Sequence, residues 1–449
     1  GILNRSTEAK EKTLSAKQEE QSILKIYENQ ISNYAGIDWE NAKANAKAPQ
    51  EQKEERNNGV IGIGTDGNPV NMDFWEYTLK DDNTYGLNDS ESLKEDCTSP
   101  TSGYIADEDK DGNIDIENGK IKGTIPQYIS TDNGKNFIKV TDLSQTFRNL
   151  RDLQVMPKIP KTIILLIGTF CDTDIMQVTE IPSGVINMNG TFGRCYNLEN
   201  APSIPDTVID MTSTFYQCRK LKQIPKISNN ATELGYTFNE CSSITEVCDL
   251  PDNIINMYGT FCGCSSIKKV TKLALNVVNM KSTFYGCTNL IEVPDIPENV
   301  ENLERTFGKC TNLKKTPNIS KSTKNMICTF SGCSSLDKAP DIPNGVKQMH
   351  GTFENCSSLV TPPKLIPSSV SDMSFTFYAC FKLQGEMQIN ADIQGKDIVI
   401  SNVSFLDYSS CFNNACTDGD GLLITNTSLT DKVFLKKLVN NNTKIEIQE

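Results

Sequence analysis

Apolar residues recur along the middle of the chain with a period too long for a strand and too regular for an ordinary globular core. A Thr-Phe pair places Phe at 147, 170, 192, 215, 238, 261, 284, 307, 330, 353 and 377, most steps being 23 residues. Cys follows three positions later at 195, 218, 241, 264, 287, 310, 333, 356 and 380, and Leu or Ile three further on, as at Leu198, Leu221, Ile267 and Leu313. The unit continues through Val or Ala, Pro, Ile-Pro, Val and Asn-Met, a stretch shown by Ile296-Pro297, Val300, Asn302 and Leu303. A period near 23 with apolar spacings of three is too short for a helix pair, and predicts one short strand and one turn of helix per coil. Stacked coils then form a parallel sheet along one side, about 4.8 Å from coil to coil, with Phe, Cys, Leu and Ile as interior ladders. A diverged twelfth unit is centred on Tyr408 and Cys411.

Proline and charge refine this picture. An extra Pro at 202, 225, 294 or 340 precedes the Ile-Pro. Because it cannot donate to a ladder, the strand ends near the residue before it. Pro after Ile or Leu at 205, 251, 297 and 343 alternates with Ser228, Ala274 and Ser320, a longer period of 46 residues that points to duplication of paired units. Charges alternate too: Lys222 and Lys226, then Glu246 and Asp249, then Lys268, Lys269 and Lys272, then Glu292 and Asp295, then Lys314 and Lys315, then Asp337 and Asp341. The preferred reading is a charge ladder that fixes register on a solvated face. The alternative is a ligand-binding face that uses Lys222, Lys226, Lys268, Lys272, Lys314 and Asp341.

The Phe-x-x-Cys-x-x-Leu run followed by Ile-Pro resembles the BspA-like leucine-rich-repeat family over roughly residues 141–420, although Ile-Pro here sits one position later than in that family's usual unit. The resemblance implies an α/β leucine-rich-repeat solenoid with a parallel β-sheet and about 11–12 coils of 23 residues. It also implies a non-catalytic protein at the bacterial cell surface or outside the cell. Such a protein presents its repeats to a protein or glycan, host-derived ones included, in an adhesin-like role.

The flanks read differently. Residues 1–35 predict a helix with an apolar stripe at Ile23, Tyr27, Ile31 and Tyr34. The segment Gly1 to Thr13 resembles the stretch after the hydrophobic helix of type IV pilin-like proteins of Gram-positive gut bacteria. That likeness implies a membrane-inserting helix upstream of Gly1 and an alternative role as a pilin-like subunit or stalked envelope component. Residues 36–58 read as a polar linker, and 59–140 as a small β-rich capping module. Its candidate strands contain 74–77, 114–116, 120–125 and 137–140, with Asn118-Gly119 as a hairpin turn. Residues 421–449 read as a C-terminal cap, with a short helix over 429–439, N-capped by Thr430, and a strand over 444–447.

Composition narrows the chemistry. A net charge of −13 and a pI near 4.9 argue against nucleic acid and anionic membrane surfaces as partners. With 37% hydrophobic residues and a mean hydropathy of −0.39, a single large core is not expected. No run of eighteen apolar residues occurs, so membrane attachment is expected only through a segment upstream of Gly1. The 16 cysteines are expected as small buried hydrophobes, because neighbours in the ladder stand farther apart than the ~3.8 Å Cβ separation of a disulfide. Cys97, Cys171, Cys248, Cys262 and Cys328 fall outside that ladder. Asn or Asp five residues before Phe, as at Asn187, Asp210, Asn256, Asn279, Asn302, Asn325 and Asp372, is expected to bond turn amides. The single histidine, His350, occupies a position filled elsewhere by Asn189, Thr212, Gly235, Tyr258, Lys281 or Glu304 and reads as exposed. One histidine leaves no triad or His-metal chemistry, and no enzyme is expected. Gly62 to Gly67 fits G-x-G-x-x-G but opens no helix and reads as a turn. Asp107, Asp109 and Asp111 fit the start of a calcium loop, but its twelfth position is Asn118 instead of Glu. An acidic hairpin tip is the preferred reading, calcium the alternative, and no cofactor is expected.

Overall fold

The computed structural model describes residues 60–70, 72, 75, 78–80, 83–87, 116–121, 123–247, 249–390, 411–418, 420–425, 439 and 442–448. The expected N-terminal helix, the polar linker, Asp107, Asp109, Asp111, Cys97, Cys248, Tyr408 and all of the expected C-terminal helix except Val439 lie outside the described residues.

Before the repeats, the chain forms strands β1 (Ile61–Gly64), β2 (Pro69–Val70), β3 (Thr78–Leu79), β4 (Tyr85–Gly86), β5 (Ile116–Glu117), β6 (Lys120–Ile121), β7 (Pro126–Ser130) and β8 (Ile138–Asp142). Six of them make a sheet in the order β2-β1-β7-β8-β4-β3, in which only the β4–β8 pairing is parallel. β5 and β6 form the hairpin expected at Asn118-Gly119, whose φ values of 52° and 74° are the two left-handed positions a tight hairpin turn needs. The G-x-G-x-x-G segment is strand in its first half and turn in its second. A side chain at Gly62 would put Cβ 2.3 Å from Met72 Sδ, so the glycine there serves strand packing. The strand expected over 120–125 stops at Ile121, two residues before left-handed Gly123 (φ 102°).

This sheet meets the first coil by taking the place of a preceding one. Leu87 N–H donates to the Asp142 carbonyl at 3.0 Å, and Leu87's own carbonyl accepts the Thr146 hydroxyl at 2.8 Å. In later coils the equivalent threonine hydroxyl reaches the coil before it. Gln154 and Val155 N–H both donate to the Gly119 carbonyl at 2.9 Å, which fastens the hairpin to the first coil.

The expected turn of helix per coil is absent from the described repeats. The coil around Phe215 shows what replaces it. The N–H groups of Met211, Ser213, Phe215 and Gln217 donate to the carbonyls of Glu233, Gly235, Thr237 and Asn239 in the next coil, at 3.1, 2.8, 2.9 and 2.7 Å. The intervening N–H groups of Thr214, Tyr216 and Cys218 close turns onto Met211, Ser213 and Phe215. Sending every second N–H across to the next coil requires left-handed residues two before and two after each Phe, here Ser213 (φ 54°) and Gln217 (φ 58°). A helix keeps its N–H groups within the element and could not do this. The four-three-three spacing of inward residues imitates helical periodicity, which is why the pattern misleads.

Parallel bridges run without a break from Asp142 through Leu165, Asn187, Asp210, Glu233, Asn256, Asn279, Asn302, Asn325 and Gln348 to Asp372. This ladder follows the Asn/Asp row, not the expected strand. At the expected position only fragments form: β9 (Glu246–Val247) beside β10 (Lys269–Val270), with single bridges such as Lys269–Glu292 and Lys338–Thr361. Longer strands, β12 (Gly385–Ile389), β13 (Leu422–Thr425) and β14 (Ile445–Gln448), appear where no proline follows, and with two-residue β11 (Leu365–Ile366), which directly precedes Pro367, they form a parallel sheet in the order β11-β12-β13-β14.

Inside, the Phe rings from Phe147 to Phe412 are fully buried and stack one on the next, with centroids 5.3 to 5.9 Å apart and planes within 16°. The spacing exceeds the 4.8 Å of an ideal ladder, as offset stacking of tilted rings requires. The twelfth ring is Phe412, 5.3 Å from Phe377, and the carbonyl of Cys411 receives the Phe377 N–H as a threonine carbonyl does elsewhere. The last unit is therefore set by Cys411-Phe412, and its centring on Tyr408 and Cys411 is corrected.

Candidate recognition face

The repeated Thr and Cys hold the turns in place. Thr237 Oγ1 donates to the Met211 carbonyl at 2.8 Å and Cys241 Sγ to the Phe215 carbonyl at 3.1 Å, one coil back in each case. The cysteine bond recurs from Cys195 to Cys380 at 2.9 to 3.2 Å. The ladder cysteine is thus a buried donor as well as a small apolar side chain. All described cysteines are free thiols, and burial pushes Cys195 up to about 12. Asn and Asp five before Phe accept the N–H two residues on, as at Asn187 (2.8 Å) and Asn256 (3.0 Å), in agreement with their expected role.

These bonds fix an outward-facing turn arc that runs from three residues before each Phe to four after it. Among the described residues 143–390, every Tyr, every Arg and every Phe outside the stack lies on this arc: Tyr196, Tyr216, Tyr236, Tyr258, Tyr285 and Tyr378, with Arg148, Arg151, Arg194, Arg219 and Arg305, and with Phe375 and Phe381. Arg151 and Arg219 lie over the Tyr196 ring, 5.6 and 5.4 Å from its centroid. Nearly buried Asp172 takes Arg151 at 2.6 Å and Arg194 at 3.1 Å, and Arg219 meets Glu240 at 3.1 Å. The rings of Tyr236 and Tyr258 are 4.6 Å apart. Lys281 lies over Tyr258 at 5.6 Å while pairing with Glu304 at 3.2 Å, and Lys309 lies over Tyr285 at 5.4 Å.

Two glycines make room for these rings. A Cβ at Gly259 would come within 2.7 Å of Tyr236 Cδ1, and one at Gly308 within 2.8 Å of Tyr285 Cδ2. Each ring is laid against the backbone of the following coil. Several arc residues adopt the left-handed conformation despite their bulk, among them Tyr236 (φ 55°), Arg305 (φ 55°), Lys309 (φ 59°) and Phe375 (φ 56°). Such backbone is strained for any residue with a Cβ.

The residues proposed from charge alternation lie on a different arc. Lys222, Lys268 and Lys314 stand seven residues after Phe in alternate coils, and Lys226, Lys272 and Asp341 stand eleven after. Lys222 pairs with Glu199 at 2.6 Å, Lys226 with Asp206 at 3.7 Å and Lys272 with Asp252 at 2.9 Å. Hydrogen bonds from Lys222 and Lys272 hold Glu199 and Asp252 below the usual carboxylate range. Lys268, Lys314 and Asp341 are exposed and have no ion-pair partner among the described residues. His350 is corrected from exposed to half-buried: its ring packs edge-on against Phe375 at 5.5 Å, and its buried Nδ1 has no hydrogen-bond partner. Cys171, Cys262 and Cys328 are half-buried on the turn arc, and burial pushes Cys171 and Cys328 up to about 11.

The model of the BspA type leucine-rich repeat region matches residues 166–290 and 259–384. A leucine-rich repeat protein of Bacteroides ovatus is similar at 16% identity and a TM-score of 0.37, covering 75% of this chain and 97% of that one. A leucine-rich cell surface protein of Faecalibacterium prausnitzii is similar at 16% identity and a TM-score of 0.36, covering 82% of this chain and 97% of that one. A leucine-rich repeat protein of Eubacterium ventriosum is similar at 19% identity and a TM-score of 0.36, covering 62% of this chain and 81% of that one. No curated protein matches. The coils spanning residues 166–384 are thus similar to BspA-type leucine-rich repeats.

Proposed function

We propose that this chain is a bacterial cell-surface recognition protein, adhesin-like and without catalytic activity, whose ligand lies along the turn arc. The observation that carries this reading is the collection of tyrosine and arginine on one arc of the coil. These residue types combine large contact area with directional hydrogen bonding and dominate binding hot spots. On the other arc Lys222, Lys226 and Lys272 rest on acidic partners one coil away, as expected of surface pairs that set register.

The test uses the full chain on beads over surfaces coated with mucin or extracellular-matrix protein. Parent beads and beads with Lys222→Ala, Lys226→Ala and Lys272→Ala together should be retained equally. Tyr236→Ser, Tyr258→Ser and Tyr285→Ser together should weaken retention about tenfold or more. Retention that follows the lysines, or that is absent from all three, overturns the reading.

A further inference from the structure

Turn-arc cations fall into two groups. Arg151, Arg194, Arg219 and Lys281 each rest on a carboxylate, and half-buried Arg148 donates to the Gln145 amide oxygen at 2.8 Å. Arg305 and Lys309 are exposed and have no carboxylate within ion-pair distance among the described residues. These two flank Gly308 in sequence by three residues and one residue, and Gly308 is the glycine across which the Tyr285 ring lies, with Lys309 Nζ 5.4 Å from the ring centroid. Both also hold left-handed backbone that Gly or Asn would adopt with less strain. An aromatic ring backed by glycine thus stands beside Lys309, with Arg305 three residues before that glycine and reaching Cys328 of the next coil, and neither cation meets a carboxylate among the described residues.

We propose that this place on coils 284 and 307 binds an acidic glycan, an inference that rests on the turn arc being the recognition face. A sugar ring presents a flat face of C–H bonds to Tyr285, and its carboxylate or sulfate accepts hydrogen bonds from Arg305 and Lys309. Tyr258 and Tyr236, on the two coils before, extend the aromatic surface for neighbouring sugars. An acidic peptide would satisfy the cations but offers no such face to the ring. A neutral glycan would stack but leave both charges unmatched.

The experiment is calorimetric titration of the full chain with four probes: polygalacturonate fragments, heparin fragments, dextran and polyglutamate. Polygalacturonate or heparin should bind, and which of them does separates carboxylate from sulfate. Dextran and polyglutamate should bind at least about tenfold more weakly. Tyr285→Ala, and separately Arg305→Asn with Lys309→Asn, should each reduce affinity about tenfold, whereas Tyr285→Phe should retain it. Since Asn tolerates the left-handed region, the double variant should melt no lower than its parent, which keeps lost binding distinct from lost folding. Polyglutamate binding as tightly as the sugars, full affinity in the double variant, or no binding of either acidic glycan overturns the proposal. Tyrosine-dependent retention on coated surfaces without binding of either glycan would overturn this inference alone and leave the broader reading standing.

Discussion

Thr and Cys recur beside the buried Phe because each carries the donor that a particular carbonyl needs. Met211 and Phe215 carbonyls each accept one N–H from their own turn and one side-chain donor from the next coil, Thr237 or Cys241. Thr260→Val keeps the volume and removes the hydroxyl from the Leu234 carbonyl, so it should cost about 1–3 kcal/mol in a urea melt. An unchanged midpoint would show that the hydroxyl contributes packing only. Ser282, left-handed at φ 54°, has the opposite expectation: Ser282→Gly should stabilise by roughly 0.5–1 kcal/mol, read as a raised Tm. The thiols add a pH dependence. Burial raises them in the folded chain, to about 12 at Cys195 and Cys411 against an ordinary 9.0, so folding favours the protonated form. Their contribution is complete below pH 9.0 and declines as pH rises toward 12. Calorimetry from pH 7 upward should therefore show Tm falling beyond about pH 9, less steeply in a Cys195→Ala variant.

Within an element, the coil is a run of alternating turns that only its neighbours complete. Phe238 lies between Phe215 and Phe261, with centroids 5.6 Å from each, so Phe238→Ala opens a cavity bounded by two other coils. The expected loss is about 3–5 kcal/mol, with hydrogen exchange accelerated on both sides of the site. Acceleration confined to one coil would mean that coils open independently. The inward positions of these coils were legible in the sequence, because identity repeats at a fixed interval whatever the backbone does. The backbone itself was not. Turns with left-handed residues at Gln217, Tyr236 or Arg305 leave no glycine signature, so nothing in those residue types marks them.

Over the whole molecule, the core is continuous from Met72, between β2 and β3, to Ile445 in the last strand. Its described part holds free thiols and, among the described residues, no cluster suited to a metal ion. Far-UV circular dichroism should therefore be unchanged by chelator or by reductant, and collapse with either would refute this account of the core. The repeat, its buried ladders and the alternation of charge are legible in the residues alone, since each is a matter of which residue returns at which interval. The gathering of Arg and Tyr near Phe is likewise a property of repeat position, although the lysines farther from Phe form the more conspicuous pattern. Only in the folded coil do Lys222, Lys226 and Lys272 meet acids, whereas Lys309 lies over Tyr285 and Arg305 reaches Cys328, neither with a carboxylate partner among the described residues. The tertiary structure also sets the ladder along Asn187 and its equivalents instead of the predicted strand. The reason is physical: periodicity specifies which side chains face inward, but pairing and backbone hydrogen bonding depend on the offset between adjacent coils, which exists only once they are stacked.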